Sequence, residues 1–248
     1  MTTFDDILLD PTDTDSELEI ETIEIELVVL DMAGTTVKDD GVVERAFALA
    51  AERAEIVAAG PALEEALEYV RATMGQSKID VFRALAGNDE DAQRANDAFE
   101  EAYAEIALAE GVEAIPGAED VLRELREGGV KIALTTGFSR STCDILLDAL
   151  GWRDLVDVTL SPADAGRGRP FPDLPLTALI RTAVTRVDAV VVVGDTASDM
   201  LSGIAAGAGL VVGVLTGAHD EATLRDSGAD EILESIADLP GLLGLDEA

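Results

Sequence analysis

The side chains best suited to chemistry in this sequence stand where apolar runs stop. VVLDMAGTT (28–36) ends such a run on Asp31 and continues through Gly34, Thr35 and Thr36, which sets a carboxylate beside exposed backbone N–H groups. ALTTGFSR (133–140) places Thr136 and Gly137 at the end of a second run. GRPFPD (168–173) carries Arg169 in a loop, and VVVGDTASDM (191–200) brings Asp195 and Asp199 together on one turn. These residue types compose a phosphoryl-transfer set. An Asp carboxylate that attacks phosphorus divides one hard displacement into two easier ones. Two anions repel, so a hard cation must bridge them, and Mg2+ takes oxygen ligands, typically one or two carboxylates with phosphate and water. Asp31, the Ala33 carbonyl and Asp195 are the candidate ligands. Thr136 and the backbone around Gly34, Thr35 and Gly137 are candidates to bind phosphoryl oxygens. Arg169 would neutralise charge and orient the group. Taken alone, Asp195 reads equally as a helix cap and Thr136 as a strand-end hydroxyl. All four segments in order, each at or just beyond a strand end, carry the reading.

The elements that must hold these residues follow from apolar periodicity. EIETIEIELVVLD (19–31) alternates and then turns continuously apolar, the pattern of a strand entering a buried sheet. Residues 41–110 show apolar spacing of three to four with strong helix formers, and predict helices over 42–59, 62–74, 78–87 and 91–110. Breaks fall at Gly60-Pro61, Gly75 and Gly87-Asn88. After Pro116-Gly117, helices and strands alternate: helix 118–127, strand 130–136, helix 141–150, strand 156–160, helix 173–184, strand 189–195, helix 198–207, strand 210–217 and a last short βα pair. The expected fold is a doubly wound, Rossmann-like α/β core with a parallel sheet (21–38 and 114–248) and an all-helical cap inserted after the first strand (39–113). The insertion is placed to cover the strand ends, where ligands bind in such sheets. Lys38–Gly41 and Gly111–Gly117 are the expected hinges.

The order and wording of the four segments resemble the signature motifs of the haloacid dehalogenase superfamily, over nearly everything from about residue 26 to the C-terminus. The resemblance implies Asp31 as nucleophile, Thr136 as second-motif hydroxyl, Arg169 as third-motif cation and Asp195 as metal ligand, with Asp199 an additional metal ligand or a group just behind the ligands. Most phosphatases of that superfamily carry a second Asp two residues after the nucleophile, to protonate the leaving alcohol. Here that position is Ala33. DMAGTT with Ala at the acid position, MGQSKID (74–80) and the GRP of the third motif together resemble the phosphonoacetaldehyde hydrolases. In that family the Lys of the cap motif forms a Schiff base with the substrate aldehyde, and the matching residue is Lys78. The chemistry is coherent: breaking a P–C bond leaves electrons on carbon, and an iminium on Lys78 turns the leaving group into an enamine, so no acid is needed at position 33. Lys78 would then have to be partly neutral, through burial under a closed cap. The family's His three residues after that Lys is Val81 here, and its Tyr after the second-motif Thr-Gly is Phe138. Met74, Gly75 and Phe138 are expected to shape the substrate pocket. The single histidine, His219, reads as surface. Phosphomonoester hydrolysis of a small metabolite is the rival activity, and a catalytically weak protein keeping the fold is a third reading.

Composition bounds the rest. The chain has 248 residues, with 51 acidic against 17 basic and a formal net charge of −34. That sign excludes nucleic acid as an expected partner. It fits a solvated acidic surface in a salt-rich cell, since the Debye length falls to about 3 Å near 1 M salt. Apolar runs are too short to cross a bilayer, no basic segment followed by an apolar one opens the chain, and the lone Cys143 has no partner for a disulfide. The expected setting is cytoplasmic, with a small anionic phosphonate or phosphate as substrate. A homodimer is compatible with the sequence. Residues 1–20 hold seven acidic residues and no basic one, and read as a tail.

Overall fold

Short runs of Val, Leu and Ile make the sheet because β-branched and aliphatic side chains fit a pleated surface covered on both faces. In the computed structural model of the chain, residues 24–245 are described; the segment read as a tail lies outside them. Strands β1 (Leu27–Asp31), β2 (Lys131–Thr135), β3 (Val158–Leu160), β4 (Val190–Gly194), β5 (Leu210–Val214) and β6 (Glu231–Leu233) form one parallel sheet in the order β3-β2-β1-β4-β5-β6. Successive side chains alternate between the faces. Val28, Leu30, Ile132, Leu134, Val191 and Val193 join one core cluster, while Leu27, Val29, Ala133, Leu160, Val190 and Val192 join the other. Each such burial contributes roughly 1.5–3 kcal/mol. The doubly wound parallel core is therefore as expected. Its strands are shorter than the apolar runs: β1 starts only at Leu27 and β3 at Val158, β2 and β4 each lose one residue at either end, and the last three residues of the β5 run leave the ladder for the loop at the carboxyl edge.

Between β1 and α5 (Ala118–Glu127) come four helices: α1 (Val42–Arg53), α2 (Pro61–Ala72), α3 (Lys78–Ala86) and α4 (Asp89–Glu110). The helix expected over 42–59 stops at Arg53. Glu55 takes a left-handed φ of 54°, and the Ala54 carbonyl is capped by the Arg94 guanidinium at 3.0 Å. α4 starts at Asn88, whose side chain accepts the Asp91 N–H at 2.9 Å, and three acidic residues fill its first turn. Phe47, Phe82 and Phe99 knit α1, α3 and α4 together, with ring centroids 4.7 Å apart for Phe47–Phe82 and for Phe47–Phe99.

Two linkers join these helices to the sheet, and they pair with each other. Val37 and Ala114 form an antiparallel bridge, the Lys38 N–H donates to the Glu113 carbonyl at 2.9 Å, and the Ile115 N–H donates to Thr36 at 2.9 Å. The core continues through α6 (Arg140–Leu150), α7 (Pro162–Ala165), α8 (Asp173–Thr182), α9 (Ala197–Ala206), α10 (Glu221–Asp226) and α11 (Leu239–Leu243). The one-turn α7 was not anticipated; a capping box between Ser161 and Asp164 sets it, a signal too short for periodicity to register. Among the described residues no helix is long and apolar enough to cross a membrane. Phe99 is fully buried where the helices meet Tyr103 and Phe138. Phe99→Ala is expected to destabilise the protein by about 3–5 kcal/mol, read from denaturant unfolding.

Candidate active site

Parallel pairing brings the carboxyl ends of β1, β2 and β4 to one level. Asp31 lies opposite Thr135, and Leu30 opposite Val193, so the next residues out, Thr136 and Asp195, flank Asp31. Asp31, Asp195 and Asp199 are each at most 5% exposed. Arg169, equally buried, lies 2.6 Å from Asp31 Oδ1 through Nη2 and pairs with Asp199 through Nη1. Asp199 also closes a capping box at the start of α9, accepting from the Thr196 N–H and hydroxyl. Asp195 accepts the Thr35 hydroxyl at 3.0 Å and the Ala218 N–H at 2.8 Å. Burial, then the charge of Asp31, raise its carboxyl well above the ordinary range. Gly34 sits at φ 90°, and a Cβ there would lie 2.5 Å from Asp195 Oδ2, so the backbone can approach that carboxylate only as glycine.

Three largely buried carboxylates face one guanidinium, which leaves an excess of negative charge. One ligand atom from each of Asp31, Asp195 and Asp199 lies within 4.8 Å of the others. The Ala33 carbonyl accepts no hydrogen bond among the described residues. A hard-oxygen donor set with uncompensated charge fits a small divalent cation, as expected for Mg2+.

Over this edge lies a cavity of about 460 Å³, lined from below by Asp31, Ala33, Gly34, Thr136, Gly137, Phe138, Arg169 and Asp195, and from the helices above by Met74, Gly75 and Lys78. Two of the expected site residues do not reach it. Thr35 is fully buried with its hydroxyl on Asp195, so it braces that carboxylate rather than contacting a ligand. Asp199 lies behind Arg169. The Thr136 hydroxyl accepts the Phe138 N–H at 3.1 Å, which keeps its own proton available to a ligand.

Lys78 is 6% exposed and opens α3. Its ammonium lies over two rings, 5.8 Å from the Phe47 centroid and 5.4 Å from that of Phe138. Its own N–H donates to the Gly137 carbonyl at 3.2 Å, so the helix start docks directly on the core. Burial, aided by the nearby Arg169 charge, lowers its pKa to about 8, against the opposing pull of Asp31, Asp39 and Glu100.

Several residues of this region were not picked out from the sequence. Glu100 of α4 accepts the Ser139 N–H at 3.0 Å and the Ser139 and Thr142 hydroxyls, clasping the helices above to the start of α6. Asp39 lines the cavity from the first linker. Thr216, Gly217 and Ala218 close over Asp195 from the end of β5. His219 is not a free surface side chain: Nδ1 accepts the Ala197 N–H at 2.9 Å, capping α9 beside Asp195. The one available signal was a Thr-Gly after an apolar strand in LTGAHD, the same pattern that marked Thr136.

Comparison with known proteins agrees with this geometry. Residues 25–207 match the model of the family described as haloacid dehalogenase-like hydrolase. A phosphonoacetaldehyde hydrolase of Bacteroides fragilis is 32% identical, over 89% of this chain and 96% of that protein. The crystal structure of a hydrolase from Pseudomonas syringae superposes with a TM-score of 0.77 at 25% identity, covering 88% of this chain and 98% of that one. A phosphonoacetaldehyde hydrolase-like protein from Oleispira antarctica has the same fold, with a TM-score of 0.76 at 23% identity over 89% of this chain and 91% of that one. With its sheet, its four strand-end segments and its relatives in agreement, the chain belongs to the haloacid dehalogenase-like hydrolases.

Proposed function

We propose that this enzyme cleaves the P–C bond of a small phosphonate carrying a carbonyl, through a Schiff base on Lys78 and a phosphoenzyme on Asp31. The observation that carries the reading is a buried amine with a pKa near 8 that opens on the same cavity as the strand-end carboxylate. At pH 7 such an amine is roughly one-tenth neutral, against less than about 0.1% for an ordinary Lys. Lys78 Nζ adds to the substrate carbonyl and water leaves, giving an iminium. Asp31 attacks phosphorus, the P–C bond breaks, and its electrons pass to the iminium as an enamine. The enamine takes up a proton on carbon, and water hydrolyses the resulting iminium, releasing the dephosphonylated aldehyde or ketone and freeing Lys78; a second water hydrolyses the aspartyl phosphate. Arg169 and Thr136 hold phosphoryl oxygens, with backbone N–H groups near Gly34 and Gly137. Mg2+ on Asp31, Asp195, the Ala33 carbonyl and, behind them, Asp199 would neutralise charge between carboxylate and phosphoryl group. Met74, Gly75 and Phe138 bound the space for the substrate.

Residues 39–113 act in this reading as a cap that opens and closes on the paired linkers. A cavity of this size suits a small substrate, and Arg169 and Lys78, with a divalent cation on the carboxylates, would offset the charge of an anion there. The acidic surface supports operation at high salt inside a cell.

One observation favours the rival phosphomonoesterase. Val81 and Phe138, where the phosphonatases have His and Tyr, are buried and apolar and offer no proton. Phosphate release from phosphonoacetaldehyde with Mg2+ in high salt separates the two. Wild type is expected to turn over, while Asp31→Asn and Lys78→Arg each lose at least about a thousand-fold in kcat. Wild type that is inert there but hydrolyses esters, with Lys78 dispensable, establishes the phosphatase. Borohydride trapping of Lys78 with the aldehyde is expected to accelerate as pH rises through about 8, because the neutral amine is the nucleophile. A rate that levels off above about pH 8 supports the lowered pKa, and one that still climbs about tenfold per pH unit up to pH 9.5, as for an ordinary Lys, contradicts it.

A further inference from the structure

Imine formation moves protons, and the two family groups that assist it are replaced by Val81 and Phe138. The charged groups that act on Lys78 in this structure are Arg169, Asp31, Asp39 and Glu100. Arg169 and Asp31 are bonded to each other at 2.6 Å, and Asp31 is reserved for phosphorus. Glu100 is occupied by Ser139 and Thr142. The phenol of Tyr103, packed on Phe138, is held protonated by burial and by the surrounding carboxylates. Asp39 remains. It lines the same cavity as Lys78 and bonds no other side chain among the described residues.

Local backbone aims it there. Asp40 and Gly41 follow in left-handed conformation, with φ 43° and 75°, and turn the chain sharply into α1. The turn lets Asp39 Oδ1 accept the Val43 N–H at 3.0 Å, so the side chain is tethered to the first turn of α1 while it lines the cavity. Burial raises its pKa, bringing it closer to that of Lys78 than an exposed carboxylate would be.

We propose that Asp39 is a catalytic acid–base of this enzyme, carrying protons between Lys78 and the carbonyl oxygen of an aldehyde or ketone substrate. The inference rests on the Schiff-base reading above. Through water in the cavity they share, the Asp39 carboxylate takes one proton from the Lys78 ammonium, and the freed amine adds to the carbonyl carbon. A second proton passes from nitrogen to oxygen, giving the carbinolamine. The Asp39 carboxyl returns the first proton to the hydroxyl, which leaves as water while the C=N bond forms. Ammonium plus carbonyl thus gives iminium plus water, with nothing left over.

The test compares wild type, Asp39→Asn and Asp39→Glu in the full chain with phosphonoacetaldehyde. Three readouts are needed: the rate of borohydride-trapped Lys78 adduct, binding of beryllium fluoride with Mg2+, and thermal unfolding. The Asn amide oxygen can accept the same Val43 N–H, so Asp39→Asn is expected to keep its unfolding temperature and its fluoride binding. Its trapping rate is expected to fall about 100-fold or more, and Asp39→Glu to recover part of that loss. Wild-type trapping with an equally fast Asp39→Asn overturns the proposal alone, as does a slow Asp39→Asn that has also lost fluoride binding or stability, since that marks a structural role. Wild type that traps no adduct overturns the Schiff-base reading and this proposal with it.

Discussion

Everything at the carboxyl edge of the sheet answers to one electrostatic constraint. Three carboxylates are buried within reach of one another, with a single guanidinium between two of them. Unpaired buried charge is costly, so the surrounding backbone is organised to supply donors. Thr35, Thr196 and Ala218 all give N–H or O–H groups to these carboxylates, and Gly34 lets the chain pass close enough to do so. His219 holds the start of α9 where Asp199 must sit. Because the same charge excess would attract a divalent cation and a phosphoryl group's counter-charges, stability of the fold and readiness for chemistry draw on one arrangement.

The second constraint is opposite in sign and lies above the first. Lys78 needs low polarity to be an amine, whereas the carboxylates need polarity to stay charged. The structure separates the two by layers. Aromatic rings from both the helices and the core surround the amine, and hydrogen-bond donors surround the carboxylates. Arg169 acts in both layers, stabilising Asp31 while disfavouring the ammonium of Lys78.

The sheet, the helical insertion and the strand-end residues were legible because each rests on a local signal: apolar runs, helical spacing, or a residue at the end of a run. Lys78 was legible through its motif and its rarity in a chain with three Lys. What escaped depends on contacts between distant segments. Thr35 looked like a ligand group, yet Asp195, 160 residues away, takes its hydroxyl. Glu100 is one acidic residue among many on α4, and only the docking of α4 on α6 distinguishes it. Asp39 looked like part of a hinge; two consecutive left-handed residues turn it inward, and no pattern of residue types encodes that direction. The early stop of α1 has the same origin, in an Arg from another helix.

The seating of Lys78 at the first turn of α3 has a further consequence. The lowered proton affinity of Lys78 belongs to this packing and not to the side chain alone. Were the helices to lift away from Gly137 and Phe138, as the proposed cap motion requires, the amine would return to water and bind protons like any exposed Lys. In the proposed reaction such an open form would present an inert ammonium to passing aldehydes. Only a compound able to remain while the two layers meet would then encounter a nucleophile, so the interlock would screen reactants before any bond is made.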